Sequence, residues 1–105
     1  MSLPKKLVIG TRNYKVQEVK DLKNPIGQNA YGTHTFDNLN IKIDKSIDKN
    51  LKPLILFHEV LHGLMCSCEV ELDYEKEEHV VKNLTHGLVK FMQDNPAFIK
   101  SLLKR

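Results

Sequence analysis

The residues best suited to chemistry are His58, Glu59 and His62, which form a His-Glu-x-x-His pattern. On a helix, positions four apart share a face, so His58 and His62 can direct imidazole nitrogens at one metal ion. Glu59 stands one step round the helix, where a carboxylate could hold and deprotonate a metal-bound water. From Pro53 to Cys66 these three are the only polar or ionisable side chains, the thiol aside. The rest is apolar on every face, the pattern of a helix buried in a small protein. Buried polar groups need partners, and a zinc ion would satisfy both rings. Without a metal, the pair would be two core histidines that happen to lie four apart.

The chain of 105 residues is expected to form one domain, 1–105, with a modest core. Apolar residues make up 41% and charged residues 28%, the values of a globular protein. No apolar run is long enough to span a membrane. Met-Ser-Leu-Pro-Lys-Lys lacks the apolar segment of a signal peptide, so a cytoplasmic location is expected. Residues 1–4 read as disordered or as a cloning remnant. The net charge of +3 is uneven: residues 1–52 carry ten Lys/Arg against five Asp/Glu, and residues 53–105 six against eight. These charges read as solvated faces, with no stripe dense enough to imply nucleic acid. Cys66 and Cys68 are too close for a strain-free disulfide, which suits a reducing compartment. Two thiols alone do not close a zinc site, and Cys66 is expected at the buried end of the helix.

The elements that must position the motif follow from local pattern. Leu7-Val8-Ile9 and Tyr14 to Val19, joined by Gly10-Thr11-Arg12-Asn13, predict a hairpin over 5–19. Residues 20–30 read as a loop with at most a helical turn. Tyr31 to Asp44 predicts a second hairpin, turning at Asp37-Asn38, which tolerate positive φ. Asp48 or Asn50 can cap the motif helix, and Pro53 suits its first turn. Gly63 sits inside that helix at a cost of about 1 kcal/mol relative to Ala; its missing side chain would admit another element. After a polar connection at 67–74, Val80, Val81, Leu84, Leu88, Phe91 and Met92 have helical spacing within Glu75 to Asp94. Asn95-Pro96 ends that helix, and Ala97 to Leu103 makes a short last one. Strands first and helices after give an α+β class. The expected architecture is an antiparallel-rich sheet of three or four strands on a buried helix, followed by one long and one short helix.

A catalytic zinc takes three protein ligands and a water, so His58 and His62 need a companion from another element. The start of the long helix offers Glu75, Glu77, Glu78 and His79. Glu78 borders the core-facing stripe. Glu77 lies three, four and seven residues before Val80, Val81 and Leu84, nearer its centre, and periodicity prefers it. Acids at a helix N-terminus are also favoured electrostatically without any further role.

The chain resembles the short zincin-like proteins of bacteriophages and mobile elements, minimal relatives of the ImmA/IrrE metallopeptidase family. The resemblance spans nearly the whole chain. It rests on Ala30-Tyr31-Gly32, on Phe57-His58-Glu59-Val60-Leu61-His62-Gly63, and on Glu78-His79-Val80-Val81-Lys82-Asn83-Leu84-Thr85-His86-Gly87-Leu88 with Asp94-Asn95-Pro96. The His-Glu-x-x-His part is specific to zincins generally; the flanking pieces agree in order and spacing. The resemblance implies a glutamate ligand on the helix after the motif, followed by small or apolar residues three, six and seven on. Glu78 fits through Val81, Leu84 and Thr85, which moves the choice from Glu77 to Glu78. It also implies a minimal zincin-like fold, a bacterial or phage-infected host cell, and a peptide or protein substrate of unstated identity; neither nucleic acid nor membrane is expected as partner, from the charge pattern and apolar runs above.

The expected chemistry is peptide hydrolysis. Zinc on His58, His62 and Glu78 would lower the pKa of its bound water toward about 7. Glu59 would take the proton and pass it to the leaving amine. The second hairpin could hold an extended peptide by strand addition. His34, Tyr31, Tyr74 and His86 are candidates to stabilise the oxyanion. The alternative is a zinc-stabilised binding module without turnover, directed at a regulatory protein of phage or host. A third reading is a metal-free interaction protein with structural histidines.

Overall fold

The computed structural model describes residues 2–104 and has α+β architecture. Strands β1 (Lys6–Ile9) and β2 (Arg12–Val19) form the first hairpin, paired from Lys6↔Lys15 to Ile9↔Arg12. Gly10 turns it at φ 63°, a left-handed conformation that costs glycine no steric penalty. Strands β3 (Gly32–Thr35) and β4 (Asn40–Asp44) form the second hairpin. The sheet order is β1-β2-β4-β3, and β2 pairs with β4 in parallel, from Lys15↔Asn40 to Val19↔Asp44. The sheet is therefore mixed, with two antiparallel pairs, and β3 lies at an edge. Alternation supplies the core: Ile9, Tyr14, Val16, Ile41 and Ile43 pack against Leu56 of the first helix. Leu3 packs against the border of this cluster.

One turn differs from expectation. In the second hairpin the positive φ falls on Leu39, at 50°, rather than on Asp37-Asn38. The connection has four residues between the strands, so the left-handed position is its last, where Leu39 leans on the core. Residues 20–30 hold no helical turn. The Asn24 side-chain oxygen accepts from the N–H groups of Ile26 and Gln28, at 3.1 and 2.9 Å, and a bridge pairs Lys23 with Asn29. An Asn side chain here replaces a backbone turn partner. Leu22, at the base of this tongue, is buried, and its N–H donates to Asp44 Oδ2 at 3.2 Å. Asp44 Oδ1 accepts from the N–H and hydroxyl of Ser46, at 2.8 and 2.6 Å. The hydroxyl and amide of Ser46 hold the Asp44 carboxyl below its ordinary pKa; burial opposes them, and Leu22 and Lys23 add to the lowering.

Helix α1 (Lys52–Ser67) carries the motif. Its apolar sequence predicts burial all round, but only Leu56, Glu59, His62 and Gly63 are fully buried. The sheet covers one side and the next helix another, and the described residues leave the remaining faces of α1 partly uncovered. Cys66, expected inside, is exposed. Neither Asp48 nor Asn50 caps the helix. Leu51 occupies that position without a side-chain bond, while Asp48 accepts from the Asn50 N–H at 2.7 Å. Pro53 does sit in the first turn.

The end of α1 redirects the chain. Glu69 takes φ 57°. Its N–H donates to Cys66 O at 3.2 Å and that of Val70 to Met65 O at 2.9 Å, the paired bonds of a Schellman termination. Helix α2 (Tyr74–Asp94) then returns against α1. The Asp73 side chain caps it by accepting from the Lys76 N–H at 2.9 Å. Val81 and Thr85 are its buried residues. Leu84 and Phe91, placed on the stripe by periodicity, remain about half exposed. Helix α3 (Pro96–Leu102) follows, with Phe98 edge-on to Phe91. No helix among the described residues is long and apolar enough to cross a membrane.

Candidate metal centre

Three elements meet at the motif: α1, the start of α2, and the edge strand β3. His58 and His62, one turn apart, have ring centroids 5.0 Å apart. Each presents Nε2 to Glu78 of α2: His58 Nε2 lies 2.8 Å from Oε1, and His62 Nε2 lies 3.1 Å from Oε2. The ligand atoms of these three residues all lie within 4.8 Å of one another. Glu77 occupies a different place, 2.6 Å from Nδ1 of His62. Burial lowers the pKa of His58; Glu78 opposes the change and His62 adds to it.

Glu59 is 7% exposed. Burial raises its carboxyl pKa to about 7, with His62 pulling it down and Glu78 pushing it up. Its space depends on β3. A Cβ on Gly32 would stand 3.1 Å from Glu59 Cγ, 3.2 Å from Glu59 Oε2 and 2.8 Å from Ile55 Cγ2. A cleft of about 230 Å³ opens here, lined by Tyr31, Gly32, Ile55, His58, Glu59 and Glu78. Glu59 and two of the three candidate ligands thus share one surface opening.

The four candidates for oxyanion stabilisation separate. Tyr31 lines the cleft and is 66% exposed. Tyr74, at the first position of α2, is exposed. Its phenol pKa is raised by desolvation first and then by the carboxylates of Glu78, Glu59 and Glu77. His34 is already engaged: its Nε2 lies 2.9 Å from the Tyr14 hydroxyl, and the two rings stack. Burial, with a smaller contribution from His62, holds the pKa of His34 low. A neutral ring of this kind can accept a hydrogen bond from the Tyr14 hydroxyl. His86 is exposed on α2 and bears on His58 only as a minor electrostatic influence.

Gly63 explains how β3 approaches α1. A Cβ there would lie 2.9 Å from Ile9 Cδ1 and 3.3 Å from His34 Nε2. Three contributors escape the motif pattern: the space at Gly32, the Tyr14–His34 pair, and the bond between Glu77 and the outer nitrogen of His62. Ala30-Tyr31-Gly32 was a visible signal for the first. Pairs formed between strands or between helices leave no such signal, because their spacing along the chain is arbitrary.

No protein-family model matches the chain, nor does any curated protein in sequence or any solved structure in fold. The functional reading therefore rests on the residues and their geometry.

Proposed function

We propose that this protein is a small zinc-dependent peptidase with a minimal zincin-like fold, of the kind its resemblance to the ImmA/IrrE family implies. The observation that carries the reading is the meeting of two imidazole Nε2 atoms on the two oxygens of one carboxylate, beside a buried glutamate in an open cleft. The donor set fits zinc. Two imidazoles and a carboxylate from adjacent helices are the ligands of a catalytic His₂Glu site, whereas structural sites are usually closed by four protein ligands. His58, His62 and Glu78 would hold the ion.

Bound there, zinc supplies a Lewis acid that makes water a nucleophile near neutral pH. Glu59 does the proton work. Its carboxyl, buried beside the would-be ligands at the cleft, is placed to accept a proton from the attacking water and deliver it to the departing amine. The outer edge of β3 offers unpaired backbone groups alongside the cleft, suited to an extended peptide. Tyr31, at the rim, is the candidate donor to the developing oxyanion. A sealed, non-catalytic zinc module could use the same ligands; the cleft beside them favours turnover.

The test joins metal analysis with a single variant. Apo-protein reconstituted with zinc should retain about one ion per chain. Glu59→Gln should fold and bind zinc like the parent while cleaving about 10²–10⁴-fold more slowly, with the substrate drawn from a peptide library. No tight zinc after reconstitution would sink the metal reading. Equal cleavage by parent and variant would sink the mechanism.

A further inference from the structure

The zinc reading leaves Glu77 without a task, yet this residue makes the shortest contact of the cluster. Its Oε2 lies 2.6 Å from His62 Nδ1, while Nε2 of the same ring faces Glu78. The two nitrogens point to different sides of the imidazole, so Glu77 stands behind the ring, away from the shared ligand group of His58, His62 and Glu78. Resting on the zinc reading above, we infer that Glu77 is a positioning residue: it fixes His62 as the Nδ1–H tautomer and so delivers the Nε2 lone pair to the metal.

The chemistry follows from the ring. Neutral imidazole carries one N–H and one lone pair, and a ligand must offer the lone pair. A carboxylate accepting from Nδ1–H makes that the protonated nitrogen and leaves Nε2 free to ligate. It also stops rotation of the ring about its bond to the backbone side. Burial strengthens the effect: the His62 side chain is 10% exposed and that of Glu77 is 24% exposed, so water competes weakly for the contact. His58 provides an internal comparison. Its side chain is 21% exposed, and among the described residues its only carboxylate contact is through Nε2 to Glu78. The two ligand histidines are thus unequal, one braced from behind and the other not.

Adjacent glutamates on α2 can divide the work because successive residues on a helix point about 100° apart. Glu78 faces both rings, whereas Glu77 reaches past His62 to its far edge. This arrangement also accounts for the preference of periodicity for Glu77, since a residue near the centre of a core-facing stripe can find a buried partner without being a ligand.

The experiment compares the parent with Glu77→Ala, Glu77→Gln and Glu77→Asp in the full chain. Zinc affinity is measured by chelator competition. Histidine ring N–H signals are read by ¹⁵N NMR in the zinc-loaded protein, where a ligand ring keeps one N–H. Glu77→Ala should weaken zinc about 10–100-fold, the usual effect of losing such a partner. The His62 Nδ1–H signal should shift and exchange faster with water while the His58 signals stay in place. Glu77→Asp should restore part of both properties. Glu77→Gln keeps the shape of the side chain, and covers the case in which Glu77→Ala fails to fold. Zinc affinity and a His62 Nδ1–H signal unchanged in both Glu77→Ala and Glu77→Gln would overturn the inference. So would a loss of zinc as complete as that of Glu78→Ala, which would make Glu77 a ligand. A parent that binds no zinc would instead remove the reading on which the inference rests, and is distinguished by that control.

Discussion

Gly32 of β3 lies directly against Glu59 of α1, close enough that a Cβ would stand 3.1 Å from Glu59 Cγ and 3.2 Å from Oε2. The glycine has no unusual φ, so its importance is one of space. An added methyl must push the Glu59 carboxylate or the neighbouring Ile55 side chain. Gly32→Ala should therefore keep the fold and the zinc, since the atoms nearest the added Cβ belong to Ile55 and Glu59 and not to the proposed ligands, while slowing cleavage. A displacement of about 1 Å at a catalytic group can cost about 10²-fold in rate. Circular dichroism, zinc analysis and peptide cleavage on one preparation check this. A variant with undiminished cleavage would show that Glu59 need not occupy its present place.

The proposed ligand set makes a selective prediction about the acidic start of α2. Glu78→Ala should lose more zinc affinity than the roughly 10–100-fold expected for a partner behind a ligand. Glu75→Ala should change it little, because Glu75 is exposed and outside the His58–His62–Glu78 group. Chelator competition ranks the two. Equal losses in both variants would mean that the general charge of the helix terminus, and not one ligand, holds the ion.

Glu59 should make the metal-free protein sensitive to pH. Its folded-state pKa of about 7 lies above the ordinary 4.5, so the folded state holds this proton more tightly than the unfolded state does. The associated stability is fully present below pH about 4.5 and is lost as pH rises through about 7. Glu59→Gln, neutral throughout, escapes that loss. Above neutral pH the metal-free variant should be more stable than the metal-free parent, by at most about 3 kcal/mol, the free-energy equivalent of the displacement. Urea titrations across this range check it, and parallel stability curves at every pH would refute it.

Asp44 should show the opposite sign. Its folded-state pKa is depressed, chiefly by the Ser46 hydroxyl and amide. The stability it contributes is present above the ordinary value of 3.8 and is lost as pH falls through the depressed folded-state value. Asp44→Asn should lower the melting temperature at neutral pH, and the gap from the parent should narrow in acid. Loosening of the 20–30 tongue should accompany it, read as faster amide exchange at Leu22, whose N–H donates to Asp44. A constant gap at all pH values would assign the effect to packing instead of charge.

Local pattern alone determined the class of this protein and the place of its candidate chemistry. Alternating strands, a helix with His58 and His62 on successive turns, and a second amphipathic helix that stops at Asn95-Pro96 all express periods of two or 3.6 residues. Those periods are properties of the backbone and survive without knowledge of the whole fold. The order β1-β2-β4-β3 with its parallel centre was not legible, because either hairpin could lie on several edges of the other with the same alternation. Burial round α1 was over-read for a related reason: hydrophobicity says what prefers shelter, not which neighbours provide it, and Cys66 is exposed accordingly. Local pattern did not divide Glu77 from Glu78; only the family resemblance chose Glu78. Both residues border the same stripe and differ by one step of the helix, so periodicity separates them only weakly. The return of α2 across α1 decides which carboxylate meets both Nε2 atoms and which stands behind His62.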